Sequence, residues 1–430
     1  MSNHTNHRKL GVLAAISLVV GNMIGSGIFL LPASLAAFGG ISIIGWIIAS
    51  LGAIALAIVF SVLTERYPQT GGPYIYARAG FGDFAGFLVA WGYWISVCAT
   101  NAAITIAMLS YLQVFFPFLA TSKVTSAAIG FTAIWGLSFV NMRGIYSAGI
   151  VQVVTTIMKV IPLILVTVIG VFYIDWSYFS PFNISGLSDW EAIVQTTALT
   201  LFAFLGVECA TIPAESIKDN RTVKQATIWG TMIAIIIYIG SSVVILGLMP
   251  AEELVNSSAP FADGAFTVFG ETGRLVVAFG AVVSTFGALN GWILVSGQIP
   301  LAAAKDKMFH RLFQNVNDNG SPAKGIVMSS ILVTLFLMLQ FDEGLNKAFE
   351  FLILLSTLTV LIPYLFSSIT YILLYKKETH KVKALLIGTF AFIFSLFAIY
   401  GCGKEIVFYG FLFLMASLPI YAVIKWKETP

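Results

Sequence analysis

Two ionisable side chains fall in the middle of long apolar runs: Glu208 in TLFAFLGVEC and Lys159 in TTIMKVIP. A charge placed deep in hydrocarbon costs about 3 kcal/mol or more, and such residues usually mark ion or substrate paths. A buried carboxyl at Glu208 is a candidate to take up and release a proton; the plainer alternative is a permanently protonated group bonded to a neighbouring helix. Lys159 lies about eleven residues into its run, too deep to reach water easily by extending its stem. It needs a partner or must lose its proton. A third stretch, GNMIGSGIFLLP from Gly21 to Pro32, puts Gly21, Gly25 and Gly27, with Asn22 and Ser26, where an apolar helix should be continuous. Glycine costs a helix interior about 1 kcal/mol relative to alanine. A backbone break at this depth is tolerated only where it is buried in protein or lines a cavity. Freed amides near Ser26, Gly27 and Ile28 would carry the partial positive charge of a helix N-terminus, which suits a carboxylate. The alternative is close helix packing, since Gly21 and Gly25 have the GxxxG spacing.

Aromatic residues are plentiful, so each has an ordinary packing role to set against any other. Trp292 stands out beside Asn290 and Gly291 in mid-run, and Phe202 lies just before a second glycine interruption at Phe204-Leu205-Gly206-Val207-Glu208. Either ring could cover a bound molecule by stacking or cation–π attraction. Asn101 is an amide in an apolar run that needs partners, as glue between helices or as a ligand contact. Enzyme motifs are missing: there is no GxxxxGK[ST] segment, and His4, His7, His310 and His380 fall in terminal or loop segments. Cys98, Cys209 and Cys402 show neither metal-ligand spacing nor a disulfide framework. No cofactor or metal is implied, and the chain does not read as an enzyme.

The elements that must position these residues follow from composition. Of 430 residues, 58% are hydrophobic and 10% charged, the balance of a polytopic membrane protein. A net charge of +3 gives no case for nucleic acid. Twelve runs are long enough to cross a bilayer, at about 11–36, 41–63, 84–116, 125–141, 148–173, 191–213, 225–249, 275–302, 325–340, 346–375, 384–402 and 405–424. With both termini in the cytoplasm, 18 of the 23 lysines and arginines fall on the inner side, 4 outside, and Lys159 within a span. That bias supports an even number of spans. The segment 250–274 is the longest external connection and is expected to hold short helices over an outer opening. The interrupted runs are the first and the sixth, five apart. Paired interruptions at matching positions point to a transporter built from inverted repeats.

GNMIGSGIFLLPA, FAFLGVE, GQIPLAAAKDKMF and TGGPYIYARAGFG (Thr70 to Gly82) together resemble the amino acid–polyamine–organocation transporters, over nearly the whole chain. Within them the sequence is most similar to the basic amino acid/polyamine antiporter group, typified by bacterial arginine/agmatine antiporters. The resemblance implies an all-α, LeuT-like fold of 12 transmembrane helices. About 11–173 and 191–375 would form a 5+5 inverted repeat with broken helices 1 and 6, and about 384–424 two additional helices, in one domain that is often a homodimer. It implies that Ile24, Ser26 and Gly27 bind the substrate's carboxylate and amino group, and that Asn101, Trp292 and Ser356 contact the substrate. Glu208 would be the proton-sensitive gate residue, with Tyr93 and Tyr364 forming an inner gate. Two positions depart from the arginine/agmatine pattern. Phe202 stands where those antiporters stack the guanidinium on tryptophan, and Lys159 where they have an apolar residue. A lysine there resembles Na⁺-independent, proton-coupled permeases of the same superfamily; read from the residue alone, Lys159 can supply a fixed positive charge where other transporters bind Na⁺, or it can titrate.

The expectation is a secondary active amino acid transporter of a bacterial inner membrane. It would exchange an amino acid for an amino acid or amine, with Phe202 and Trp292 covering the side chain and Glu208 coupling movement to protonation. The alternatives are a proton-coupled symporter of broader, including neutral, specificity and a nutrient sensor that uses the fold without turnover. A channel fits poorly, for no ring of like charges or repeated filter segment is visible.

Overall fold

The computed structural model describes residues 11–69, 71–143, 148–209, 217, 219–375 and 381–428. The basic segments at 1–10 and 376–380 and the end of the sixth apolar run lie outside them. The helices are α1 Val12–Met23, α2 Gly27–Ala36, α3 Ser42–Arg66, α4 Pro73–Phe81, α5 Asp83–Leu112, α6 Phe118–Thr121, α7 Lys123–Met142 and α8 Ala148–Gly170. They continue as α9 Asp189–Leu201, α10 Asn220–Leu248, α11 Ala251–Asn256, α12 Pro260–Lys305, α13 Ala323–Leu337, α14 Gln340–Leu374, α15 Lys381–Gly401, α16 Lys404–Met415 and α17 Ser417–Glu428.

Among the described residues nine helices are long and apolar enough to cross a membrane, and they fall on nine of the twelve apolar runs. Of the other three runs, 325–340 forms the shorter helix α13, and 148–173 is apolar from Lys159 to Tyr173. The run 191–213 departs from a continuous span. Helix α9 stops at Leu201, a 3₁₀ turn covers Phe202–Phe204, and Gly206 takes φ +105, a left-handed conformation that ends the helix there. The eighth run begins earlier than its hydropathy indicates. Helix α12 reaches back to Pro260, but Gly270 (φ 66, ψ −160) breaks it into a short arm, 260–269, and a span, 271–305. The arm and α11 are the short helices expected between 250 and 274.

Helix α5 is the centre of the bundle. Its most apolar stretch is 94% buried, against 17% for Lys404–Trp426. Hydroxyls bridge it to α14 (Ser96 and Thr100 to Ser356, at 3.0 and 2.7 Å), while the Trp94 indole donates to Ser329 of α13 at 2.7 Å. Helices α7 and α13 are joined through Ser138 and Ser330 at 2.7 Å. Small polar residues serve here as inter-helix contacts where hydrocarbon offers no other partner.

Glycine sets the closest approach. A Cβ on Gly325 of α13 would stand 2.7 Å from the carbonyl oxygen of Gly297 on α12 and 3.1 Å from its Cα. Backbone cannot move aside as a side chain can. The variant Gly325→Leu is expected to lose about 1–3 kcal/mol by overpacking, read as a clear fall in the melting temperature of the detergent-purified protein; an unchanged midpoint would mean that α12 and α13 are free to separate.

Candidate functional site

The first break follows from which hydrogen bonds the backbone gives up. Helix α1 ends with the Ile24 amide donating to Val20, while Gly25 turns back to the Met23 carbonyl at 2.8 Å instead of reaching Gly21. The carbonyl of Gly21 is thereby released, and the Lys159 ammonium nitrogen, on α8, donates to it. The carbonyl of Asn22 also loses its helical donor and accepts from the Trp292 indole N–H at 3.4 Å. Helix α2 restarts at Gly27, with Phe29 and Leu30 donating to the Ser26 carbonyl at 3.1 and 3.3 Å. The amides of Ser26, Gly27 and Ile28 have no backbone acceptor among the described residues, as expected for a helix start. Ser26 is 1% exposed, and its buried hydroxyl has no hydrogen-bond partner among the described residues.

The second break repeats the pattern. Leu205 donates to Phe202, and Val207 donates to Phe204 rather than to Ala203. The Ala203 carbonyl so released accepts from the Tyr238 hydroxyl of α10 at 2.9 Å. Three of the released carbonyls, those of Gly21, Asn22 and Ala203, are thus answered by side-chain donors, whereas the amides opening α2 have no acceptor among the described residues. The breaks also touch: a Cβ on Gly27 would lie 3.2 Å from the Phe202 ring and 3.3 Å from the Ala203 Cα.

Between them lies a cavity of about 250 Å³. Its polar lining comes from Asn22, Ser26 and Thr100, with Gly25 and Gly27 exposing backbone. Met23, Ile104, Phe202, Ala203, Leu205 and Trp292 supply the rest. Phe202 meets Phe349 of α14 edge to face, ring centroids 6.1 Å apart.

Glu208 sits apart from this lining, fully buried just past the second break. The Tyr93 hydroxyl of α5 donates to its Oε1 and the Tyr364 hydroxyl of α14 to its Oε2, both at 2.7 Å, and the Gly206 amide approaches Oε2 at 3.3 Å. One carboxyl therefore ties three elements together. Tyr93 precedes the cavity residue Thr100 by two helical turns, about 10 Å along α5. At the other end of α5, the Tyr111 hydroxyl donates to the Phe29 carbonyl of α2 (2.9 Å) and accepts from the Phe261 amide of the 260–269 arm (3.2 Å).

With this geometry in place, comparison with known proteins is direct. The sequence model of the amino acid permease family matches residues 10–423. The chain belongs to the amino acid permease family. The permease is 33% identical to an arginine/ornithine antiporter of Pseudomonas aeruginosa, over 98% of this chain and 90% of that protein. It is 32% identical to a cadaverine/lysine antiporter of Escherichia coli K12, over 96% and 95%. A solved structure of a substrate-bound, outward-open Na⁺-coupled sialic acid symporter is similar, with a TM-score of 0.57, covering 90% of this chain and 88% of that one at 13% identity. That likeness gives the fold, LeuT-like and built to cross the membrane many times.

Of the residues singled out in the sequence, Ser26, Gly27, Phe202 and Trp292 line the permease cavity together. Ile24 is buried but its contribution is the turn after α1 rather than the lining. Asn101 lies outside the lining. Its amide donates to the Val97 carbonyl of its own helix at 3.0 Å, and its Oδ1 is buried without a partner among the described residues. Ser356 stands one hydrogen bond behind the cavity, through Thr100. The residues missed are Thr100 and Ile104, four apart and so on one face of α5; that spacing, beginning one residue before Asn101, was the available signal. Tyr93, Glu208 and Tyr364 form one hydrogen-bonded cluster away from the cavity lining.

Removing either tyrosine hydroxyl should be felt through the shared carboxyl. Hydrogen bonds between membrane helices are worth about 0.6 kcal/mol on average and up to about 1.7. Tyr93→Phe and Tyr364→Phe should each lower stability by about that range, and the double variant should depart from the sum, since both act on one group. Strict additivity in a denaturation cycle would show that the two bonds are independent.

Proposed function

We propose that the permease is a secondary active exchanger, carrying an amino acid against an amino acid or amine by alternating access. The observation that carries this reading is the asymmetry of the first break. Its Gly21 and Asn22 carbonyls are occupied by Lys159 and Trp292, while Ser26 and Gly27, at the opening of α2, line a cavity beside the second break, and the Ser26 hydroxyl has no partner among the described residues. Unpaired N–H donors at a helix start favour a carboxylate. The substrate's carboxylate docks there, and Phe202 and Trp292 cover its side chain. The relatives named as antiporters favour exchange.

Glu208 is the coupling group in this proposal. Its two tyrosine donors bind α5 and α14 to the second break, so a change in its protonation alters how firmly those elements hold together. Lys159 supplies a resident amine at the released Gly21 carbonyl, which supports transport without a bound metal ion. In this reading both termini lie in the cytoplasm, as the excess of basic residues in alternate loops favours, and the membrane is a bacterial inner membrane.

Purified permease in liposomes provides the test. Internal unlabelled amino acid or amine should stimulate uptake of labelled amino acid several-fold. Stimulation by a proton gradient alone would replace exchange with symport. Glu208→Gln, which keeps the side chain's size and an oxygen for a tyrosine to donate to, should transport with a flattened pH dependence; a retained wild-type pH profile would take the coupling role from Glu208.

A further inference from the structure

We infer that Tyr238 of α10 is a positioning residue for substrate binding: it fixes the second break, and with it the cavity wall formed by Phe202 and Ala203. The inference rests on the exchange reading for what occupies the cavity, and adds a residue that does not touch the occupant. Tyr238 is fully buried and does not line the cavity. Its hydroxyl donates to the Ala203 carbonyl at 2.9 Å, the group set free when Val207 turns to Phe204. Ala203 and its neighbour Phe202 both belong to the lining. One hydrogen bond therefore separates Tyr238 from the wall.

The ring of Tyr238 is held as well as its hydroxyl. It lies 5.4 Å from the Trp46 ring of α3 and 5.3 Å from the ring of Phe204, while Trp46 and Phe204 meet edge to face at 5.9 Å. Tilted and edge-on aromatic pairs attract at such centroid separations, and all three rings are buried. The 3₁₀ turn Phe202–Phe204 is thus anchored twice, at Phe204 by two rings and at Ala203 by the hydroxyl. Packing of this kind behind a site is what holds its contact residues to within about 0.5 Å. The facing side leaves little tolerance. A Cβ on Gly27 would lie 3.2 Å from the Phe202 ring and 3.3 Å from the Ala203 Cα, and Gly27 opens α2 beside Ser26. A small displacement of Ala203 therefore alters the spacing between the two breaks, and with it the fit of whatever is held between them. Without the hydroxyl, the buried Ala203 carbonyl would lose the donor it has here, and the turn would shift to regain one.

Thermal-shift titration in detergent reads the effect, because stabilisation follows affinity for the folded state. The probes are arginine, ornithine, lysine, putrescine and leucine, and the quantity is the concentration that gives a fixed rise in melting temperature. Tyr238→Phe removes only the hydroxyl. For each probe that stabilises the wild type, it should raise that concentration by about three- to fifteen-fold, the worth of one hydrogen bond between membrane helices. Ser138→Ala removes a comparable hydroxyl pair between α7 and α13, outside the lining, and should leave the concentration unchanged. A Tyr238→Phe protein with a lower ligand-free midpoint but unchanged probe concentrations overturns the inference, as does an equal effect of Ser138→Ala. If Tyr238→Phe fails to fold, Trp46→Phe, which keeps the hydroxyl but thins the ring cluster, is read in its place by the same criteria. Counterflow in liposomes separates this from the exchange reading. Weakened binding in the variant with no counterflow in the wild type removes exchange and leaves this inference standing; counterflow with unweakened binding does the reverse. If no probe stabilises the wild type, both fall.

Discussion

A peptide group released from a helix inside a bilayer finds no water, so whatever breaks the helix must also supply its partners. Much else in this permease depends on that constraint. The Gly21, Asn22 and Ala203 carbonyls lose their helical donors and regain Lys159, Trp292 and Tyr238. Those three side chains come from α8, α12 and α10, so satisfying the breaks also draws three further helices around them. At the start of α2 the amides and the Ser26 hydroxyl are left without partners among the described residues, beside the Phe202 and Trp292 rings that line the same cavity.

The same economy of partners operates at Glu208. A carboxyl with no exposure to solvent must be neutral or well bonded, and here it collects hydroxyls from the central helix and from α14. Those two helices also share the Ser96–Ser356–Thr100 hydroxyl network behind the cavity wall. The cavity wall and the Glu208 cluster are thus connected along one helix pair rather than through a loop. Movement of α5 against α14 would strain both sets of bonds together.

The interruptions were legible in the sequence because glycine and serine are poor material for a continuous apolar helix, and two such clusters lay five runs apart. Glu208 and Lys159 were legible for the same reason, as charges out of place. What escaped was anything set by side-chain direction. Asn101 drew attention by its polarity, yet the face of α5 that lines the cavity carries Thr100 and Ile104, one of them indistinguishable from a lipid-facing residue by type. The early start of α12 escaped too, because Gly270 can join two helices at a bend that hydropathy does not register. The donors that reach Gly21, Asn22 and Ala203 come from distant segments, and only the fold brings them within reach.

The Tyr111 hydroxyl has one proton to give and gives it to Phe29, while the amide of Phe261 is given to it. Its two bonds are therefore unequal in kind. Losing the amide would cost the oxygen a donor but leave its own bond to α2 in place, whereas losing the Phe29 carbonyl would oblige the hydroxyl to turn its proton elsewhere. One oxygen thus joins the 260–269 arm to α2 through two bonds that can be lost separately.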